Sequence, residues 1–465
     1  MKSLLFIATL LVSATAAASA PLENLTLEQA IRIARENHSS LVVSQSALEV
    51  AEAQYQQAMA AFGPKVNFEA GVQRADQDRT FTFSGTVQTP DMSLSTPLGT
   101  IPVQGQPLPM NLDVKLFDRD VSQASLNFTY PLYTGGKEEA VKGIARRGAD
   151  IAREDNRRTE LELVRDVRKY YNGARFAEQM EQLAVDTAER FKALEDLTER
   201  LYQGASLKVR RTDYLRSRTS TSVARSMLSE ARYGRSLSRE ALINAMGLPL
   251  NTSLSLAPEA PLPDFDGRLN ELVADAMQFN PDRQRLALAI EAAAYKVDEA
   301  RSGYLPTVGI EASTYKVWNG YDGGLFNSDN RDGWTIGIGL KWDIFDSGVV
   351  KAQVKEAVAG KSKLEAQQIL LDKGLSLQIK DDFLRIQRAR AQADDNLKAK
   401  TFAEENRKLN VRAYQEEMVE TKDVIEAQII ESFTTANFYR ARYDLLTAMA
   451  DLDYRLGRAL QNEQR

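Results

Sequence analysis

The strongest constraint on this sequence is an internal duplication of a long helical segment that contains no proline. The segment runs from 136 to 247 and occurs again from 348 to 457. We place 131–136 over 343–348 and allow two extra residues in the first copy after Tyr202. In that register Val167 lies over Ile379, Tyr202 over Tyr414, Asp213 over Asp423, Leu242 over Leu452, Gly247 over Gly457 and, upstream, Asn37 over Asn280. Matches at fixed offsets indicate one unit built twice, rather than the roughly three domains that the length alone suggests.

Each copy predicts the same order of elements: helical residues, two strands and then a long helical hairpin. The fold class is therefore mostly α, in two αββαα repeats. The predicted boundaries are a first repeat at 19–247, a linker at 248–268, a second repeat at 269–457 and a tail at 458–465. The predicted strands lie at about 65–73, 124–133, 307–317 and 334–345, and the predicted hairpins at 137–246 and 349–457.

Local signals support these boundaries. Residues 25–36 predict a short amphipathic helix with Thr26 as N-cap, and Gln29 completes a capping box. Pro281 is well placed to open the corresponding second helix of the other copy. The first long helix, from about 137 to 201, would extend roughly 98 Å at 1.5 Å per residue. Its narrow apolar stripes favour coiled-coil pairing over a globular core.

The four predicted strands alternate polar and apolar residues, and aromatic residues gather near their ends. These aromatics are Tyr130, Tyr133, Trp318, Trp334 and Trp342. Alternating strands of about 10 residues with aromatic ends are typical of transmembrane β-barrels. A half-buried sheet in a soluble domain is the alternative interpretation. Between the first two strands, 74–123 is rich in Pro, Gly, Ser and Thr, which predicts an extended loop.

Composition excludes several classes of function. Lys plus Arg (59) nearly balance Asp plus Glu (64), which gives no nucleic-acid footprint. The chain has no cysteine, hence no thiolate metal site and no N-terminal acylation site, and His38 is its one histidine. Known hydrolase and phosphate-loop motifs are absent, so we expect neither an enzyme nor a cofactor. Residues 1–18 predict a secretory signal peptide, and therefore export.

Four membrane strands cannot close a barrel, because the smallest known barrels have eight. An open sheet edge is not viable in lipid, so the chain is expected to oligomerise. Three copies of four strands supply twelve. The expected assembly is a 12-stranded β-barrel continuous with a long α-helical barrel.

The chain resembles the TolC-type outer-membrane efflux proteins over nearly all of its mature length. The two copies and three short matches carry the resemblance: Asn280-Pro281 followed by Ile290-Glu291 and Tyr304-Leu305-Pro306, the strand end Pro131-Leu132-Tyr133-Thr134-Gly135-Gly136, and Met246-Gly247-Leu248-Pro249. The resemblance implies a homotrimeric exit duct in the outer membrane that extends into the periplasm. It also implies partners: outer-membrane lipid, a periplasmic adaptor protein and an inner-membrane transporter of RND or ABC type.

In that family the periplasmic helix tips form a closed entrance. The matching positions here are Tyr414, Asp423, Glu426 and the first-copy Asp213. Three copies of such carboxylates would favour cations. Two features depart from the family pattern: Gly204 lies one place early in the segment that contacts the adaptor, and Val419 replaces the family's basic latch residue.

The two tips also carry opposite charges. The first is basic (Lys208, Arg210, Arg211) and the second acidic (Glu416, Glu417, Glu420, Asp423), so we predict that they meet and pair across the entrance. Two solvated tips are the alternative, because exposed ion pairs contribute only ~0–1 kcal/mol. For the whole chain, the alternative is a periplasmic coiled-coil adaptor or scaffold without a channel. The cargo cannot be read from the sequence.

Overall fold

The computed structural model describes residues 22–204, 208–250, 252–259, 261–319 and 331–458. The predicted signal peptide and all but the first residue of the predicted tail lie outside these residues. The elements in chain order are β1 (Leu22–Leu25), α1 (Leu27–Asn37), α2 (Ser39–Ala60), β2 (Lys65–Arg74), β3 (Arg79–Gln88), β4 (Met92–Thr96), β5 (Gly99–Val103), β6 (Pro107–Phe117), β7 (Asp120–Tyr133), α3 (Lys137–Gln203), α4 (Arg211–Ala245), β8 (Leu254–Leu256), α5 (Leu269–Phe279), α6 (Pro281–Ser302), β9 (Thr307–Asn319), β10 (Arg331–Lys341), α7 (Val349–Gln415) and α8 (Thr421–Leu456).

The helices repeat in length as the duplication predicts. α1 and α5 have 11 residues, α2 and α6 have 22, α3 and α7 have 67, and α4 and α8 have 35 and 36. Residues matched by the repeat also occupy matching cores. Val167 and Leu242 lie in one buried cluster, and Ile379 and Leu452 lie in another. The duplication is therefore present in the structure as well as in the sequence.

A glycine ends the last helix of each copy for the same reason. Gly247 and Gly457 have φ of 71° and 68°, in the left-handed region that favours glycine. A Cβ would lie 2.7 Å from the Asn37 carbonyl oxygen at Gly247, and 2.2 Å from the Phe279 carbonyl oxygen at Gly457. In both copies the helical hairpin thus packs closely on the end of a short helix.

The chain divides into two compact units that do not coincide with the two repeats. The first comprises Met1–Glu52, Arg147–Glu291 and Ser362–Arg465, and the second comprises Ala53–Arg146 and Ala292–Lys361. The first unit is mainly helical and contains the two clusters above. Among the described residues, no helix combines the length and apolar character needed to cross a bilayer.

The first helix of the helical unit starts later than predicted. Leu25, predicted to start α1, belongs to β1, which pairs in parallel with the predicted small strand β8. Its carbonyl accepts hydrogen bonds from the Ala257 amide and the Tyr171 hydroxyl, each at 2.9 Å. These bonds hold the Leu25 backbone in an extended conformation. α1 starts at Leu27, behind the predicted N-cap Thr26, whose capping box with Gln29 is present.

The second unit contains a four-stranded antiparallel sheet in the order β10-β9-β7-β2. Its register separates two faces. One row across the sheet joins Val66, Phe128, Ala312 and Ile336, and the next joins Asn67, Asn127, Ser313 and Thr335. The apolar face is exposed, with Phe68 70% and Ile338 72% accessible. The sheet therefore presents an uncovered apolar face and a polar face, with β2 and β10 at its edges.

Two predicted strand ends move. β7 starts at Asp120 rather than 124, and β10 ends at Lys341 rather than 345. Beyond β10, Asp346 caps the start of α7. Its carboxylate accepts hydrogen bonds from the amides of Gly348 (2.8 Å) and Val350 (2.6 Å). Ile344 continues the alternation of β10 in sequence, but it lies beyond the end of the strand, next to this cap.

The segment 74–123, predicted as an extended loop, is mostly strand. β3 pairs with β6 and β4 pairs with β5, both antiparallel. The prediction was wrong because the high content of Pro, Gly, Ser and Thr was taken to indicate a loop. Here Pro102, Pro107 and Pro109 lie in two-stranded ladders, where each strand has an outer edge that needs no N–H donor.

Candidate functional site at the helix tips

The predicted gate residues lie in the helical unit, where two helical hairpins turn. The first turn joins α3 to α4 and the second joins α7 to α8. Residues 205–207 of the first turn lie outside the described residues. The two turns place Gly204, Lys208, Arg210, Arg211 and Asp213 on one tip, and Tyr414, Glu416, Glu417, Glu420, Asp423 and Glu426 on the other.

Tyr414 is the central residue of this site. It is only 3% exposed, and its hydroxyl lies 3.0 Å from Thr198 Oγ1 on α3 and 2.9 Å from Thr421 Oγ1 on α8. Thr198 Oγ1 donates a hydrogen bond to the Leu194 carbonyl at 2.7 Å. Thr198 must therefore accept a hydrogen bond from the Tyr414 hydroxyl, which in turn accepts one from Thr421. This chain of buried hydroxyl groups joins the first hairpin to the second within one protein chain.

Asp213 and Asp423 occupy matching positions in the first turns of α4 and α8. The Asp213 carboxylate accepts the Arg210 amide at 3.0 Å, and the Asp423 carboxylate accepts the Glu420 amide at 2.9 Å. Each carboxylate satisfies a backbone donor that the helix leaves unpaired, and its charge is favourable beside a helix N-terminus. Both predicted gate acids thus hold the start of a helix, and both are half-buried. Glu426, one turn beyond Asp423, is exposed.

The tips meet at one point within the chain. Lys208 Nζ donates a hydrogen bond to the backbone carbonyl of Glu417 at 2.7 Å. Glu417 has a φ of 55°, which turns its carbonyl within the tight second tip. A basic side chain of the first tip therefore contacts the acidic tip at a backbone carbonyl and not at a carboxylate.

The remaining charged tip residues are mostly exposed. Glu420 pairs with Lys422 of its own turn at 3.1 Å, and this pairing raises the pKa of Lys422. In the part of the tips that the structure describes, Arg210 and Arg211 form no ion pair with the acidic tip of the same chain. Gly204 donates its amide to the Arg200 carbonyl at 2.9 Å, and Glu416 is exposed. Pairing of these charges between chains stays a prediction.

Sequence reasoning missed a charge triad, built around a buried acid, in the same helices as the tips. Glu431 on α8 is 5% exposed and lies 2.9 Å from Arg190 on α3 and 2.6 Å from Arg407 on α7. Thr187 and Ser432 make a further hydrogen bond between α3 and α8, at 3.0 Å. Acids on a long helix usually indicate a solvated face, and no local pattern distinguishes Glu431 from the others.

Another buried acid lies on α7, away from the tips. Asp382 has no exposed surface, and its carboxylate lies 2.5 Å from Arg455 and 3.4 Å from Arg385. Burial raises the pKa of Asp382 to about 6, against the opposing effect of Arg455. Across the described ranges, no group of three or more His, Cys, Asp or Glu residues is arranged to hold a metal ion.

The predicted interface aromatics lie in the second unit, at both ends of the sheet. Tyr130 and Tyr133 pair with Ile310 and Val308 at one end of β9, while Trp318 lies at the other end, opposite Ser122. Trp334 is 75% exposed on the apolar face. Trp342 follows β10 and donates its indole N–H to the Tyr304 carbonyl at 3.1 Å.

This combination of long helical hairpins, tips and an exposed two-faced sheet agrees with the family comparison. The chain belongs to the outer membrane efflux protein family, whose model matches residues 30–248 and 272–458. Its members are efflux channels and not enzymes, which confirms that prediction and favours the duct over a scaffold without a channel.

Individual relatives are more distant. The alkaline protease secretion protein AprF of Pseudomonas aeruginosa is 27% identical over 251 residues, which are 52% of this chain and 49% of AprF. The chain thus matches about half the length of this curated relative. Two solved structures share the fold over most of the chain. The outer membrane protein VceC of Vibrio cholerae is 18% identical, with a TM-score of 0.72 over 93% of this chain and 96% of VceC. The CmeC outer membrane channel of Campylobacter jejuni is 16% identical, with a TM-score of 0.74 over 94% of this chain and 88% of CmeC.

Proposed function

We propose that this protein is the outer-membrane exit duct of an efflux or secretion system. Three copies would form a 12-stranded barrel in the outer membrane and a helical barrel in the periplasm. The duct conducts passively, and an inner-membrane transporter of RND or ABC type, joined by a periplasmic adaptor, supplies the energy. The observation that carries this proposal is the four-stranded sheet with one uncovered apolar face and two open edges.

The dimensions of the sheet support its placement in a membrane. From Val308, opposite Tyr133, to Trp318 there are ten residue-to-residue steps along β9, about 33 Å at 3.3 Å per step. Tilted by about 40°, such a strand spans roughly 25 Å, which is the height of the apolar band in outer-membrane barrels. The aromatic residues at the two ends would then lie at the two lipid–water interfaces.

The helices also carry uncovered apolar residues that support a trimer. Leu370, Leu377 and Leu384 of α7 recur every seven residues and are 68%, 70% and 51% exposed. Seven-residue spacing of leucines suits pairing with another helix. In the proposed trimer these residues would pack against a helix of the next copy.

At the entrance, we propose that Asp423, Glu426 and Asp213 ring the pore and that Tyr414 keeps each chain's two hairpins together. The entrance would open when the hairpins of one chain separate from those of the next. Cargo of either drug or polypeptide type suits such a duct. A polypeptide is the second candidate, because the relative AprF is named for protease secretion.

Membrane extraction and mass determination test this proposal. We expect the protein to resist carbonate washing, to require detergent for release and to have three times the 51.8 kDa mass of one chain, less the signal peptide. A protein that carbonate releases as a monomer would contradict the duct and favour a periplasmic scaffold.

A further inference from the structure

The ribbon formed by β3, β4, β5 and β6, residues 79–117, extends the β2–β7 hairpin beyond the four-stranded sheet. Its register gives it two faces. Phe83 pairs with Leu112 and Val87 with Leu108, whereas Ser84 pairs with Asn111. In the outer part, Leu94 pairs with Ile101, and Ser93 pairs with Pro102. One face of the ribbon is therefore apolar along its whole length.

That apolar face is uncovered. Its exposed members are Phe81 (56%), Phe83 (52%), Val87 (48%), Met92 (65%), Leu94 (58%), Ile101 (56%), Val103 (51%), Leu108 (57%) and Met110 (43%). A two-stranded ribbon is at best marginally stable in water unless something packs on it. An exposed patch of this kind marks an interaction surface.

A charged collar separates the ribbon from the apolar face of the sheet. Six of the eight residues at 74–78 and 118–120 are charged: Arg74, Asp76, Asp78, Asp118, Arg119 and Asp120. Within the collar, Arg74 and Asp120 form an ion pair at 3.6 Å, and the Arg119 amide binds the Asp78 carboxylate at 2.8 Å. Charged residues cannot lie in the hydrocarbon layer without a high cost, so in the proposed duct the collar marks the limit of the membrane. The apolar ribbon lies beyond that limit, where lipid tails cannot cover it.

We propose that the ribbons of the three copies pack on one another through their apolar faces over the external mouth of the duct. This inference rests on the proposed trimer. In a closed ring, each copy contributes one ribbon at the same height, so identical apolar faces become neighbours around the three-fold axis. The ribbon has only four charged residues among its 39 (Arg79, Asp91, Asp113 and Lys115), so like-charge repulsion between copies is small.

The strand edges are poorly suited to join the copies instead. Pro107 and Pro109 remove two N–H donors from β6, and Pro102 removes one from β5. Prolines at a sheet edge block pairing with further strands. The ribbons are therefore expected to associate through their apolar faces and not by pairing of their strand edges.

Single-cysteine cross-linking tests this contact directly, because the natural chain has no cysteine. Leu94→Cys and Phe83→Cys place a thiol on the apolar face. Ser93→Cys and Ser84→Cys are matched controls on the opposite face, one residue away in each case. After mild oxidation of the purified protein in detergent, we expect disulfide-linked dimers for the two apolar-face variants, containing up to about two thirds of the chains. The two controls should stay monomeric on denaturing gels.

The mass of each variant in detergent separates this inference from the proposed function. If the mass is that of a trimer but Leu94→Cys and Phe83→Cys form no dimers, or all four variants form them equally, the ribbon contact is wrong and the duct still stands. If no variant is trimeric, the proposed function itself fails. A polarity-sensitive fluorophore on Leu94→Cys gives a further result. Emission typical of lipid, in vesicles, would place the ribbon on the membrane instead and overturn the contact between copies.

Discussion

Tyr202 and Tyr414 occupy the same position in the two copies of the repeat, yet they have different surroundings. Tyr202 is 40% exposed and its ring stacks on Tyr214, with ring centroids 5.9 Å apart. Tyr414 is 3% exposed, and its hydroxyl is bonded to Thr198 and Thr421. Duplication gave both copies nearly the same helix lengths and the same acidic cap, but of the two matched tyrosines only Tyr414 is buried.

The difference lies in how each tip is held by the rest of the helical unit. The second tip is tied to α3 of the first hairpin, so it cannot move far without breaking buried hydrogen bonds. The first tip is attached to the second through the hydrogen bond from Lys208 to the Glu417 carbonyl. The charge triad around Glu431 extends the same asymmetry, since the matching first-copy residue is Thr221, which bonds to the carbonyl of Phe191 at 3.1 Å.

The largest effect is expected when the charge triad is broken. Glu431→Gln removes the only acid of the triad and leaves Arg407 and Arg190 without it. Loss of one partner from a buried ion pair costs about 3–5 kcal/mol, and because both arginines are partly exposed we expect a loss of about 3 kcal/mol. Thr221→Val, the matched first-copy variant, should cost about 1 kcal/mol. Thermal unfolding followed by circular dichroism measures both, and equal losses would contradict the asymmetry.

The pH dependence of stability should come from Asp382, whose matching first-copy residue is the exposed Tyr170. Its pKa in the folded protein is about 6, above the ordinary value of 3.8. The folded state therefore holds this proton more tightly, and stability falls as pH rises from about 4 to 6. The shift of about two units corresponds to roughly 3 kcal/mol at most. Asp382→Asn should unfold with a flatter pH profile over this range, and an unchanged slope would refute the assignment.

Removal of a single hydroxyl should separate the two tyrosines. Tyr414→Phe leaves Thr198 and Thr421 with a missing buried partner, at a cost of about 1–3 kcal/mol. Tyr202→Phe removes an exposed hydroxyl and should change stability by less than about 0.5 kcal/mol. Limited proteolysis at the tips reports the same difference, as faster cleavage in Tyr414→Phe. Equal cleavage rates in the two variants would contradict the inference that the Tyr414 hydroxyl holds the second tip to α3.

The smallest effects on stability are expected at the two acidic caps, and here the two copies of the repeat should lose the same amount. Asp213→Ala and Asp423→Ala should each cost about 1 kcal/mol through loss of the helix cap. Asn preserves the cap and removes the charge. If Asp423 also belongs to a charged pore ring, Asp423→Asn should reduce cation selectivity at nearly unchanged stability. Unchanged selectivity would leave Asp423 with the capping role alone.

The sequence predicted the features that local pattern and repetition control. The 67-residue helices, the Thr26 cap and the four sheet strands follow from periodicity, capping residues and the register of the repeat. The interior position of Tyr414 could not be predicted, because it depends on Thr198, which is 216 residues away in sequence. Glu431 was missed for the same reason, since Arg190 is 241 residues away.

The ribbon was missed for a different reason. Its prolines, glycines and serines are typical of loops, and that composition outweighed the alternation of Phe81, Phe83 and Val87 with polar residues. A two-stranded ladder tolerates proline along its outer edges, whereas a central strand does not. An alternation count over 79–88 would have found the first strand.

Single-channel conductance of the purified protein in a planar bilayer tests the central claim that three copies form a gated duct. The account predicts a small, cation-selective conductance that increases when Asp423→Ala and Glu426→Ala are combined. A protein that inserts into the bilayer and never conducts, in the natural form or in that variant, would contradict the duct.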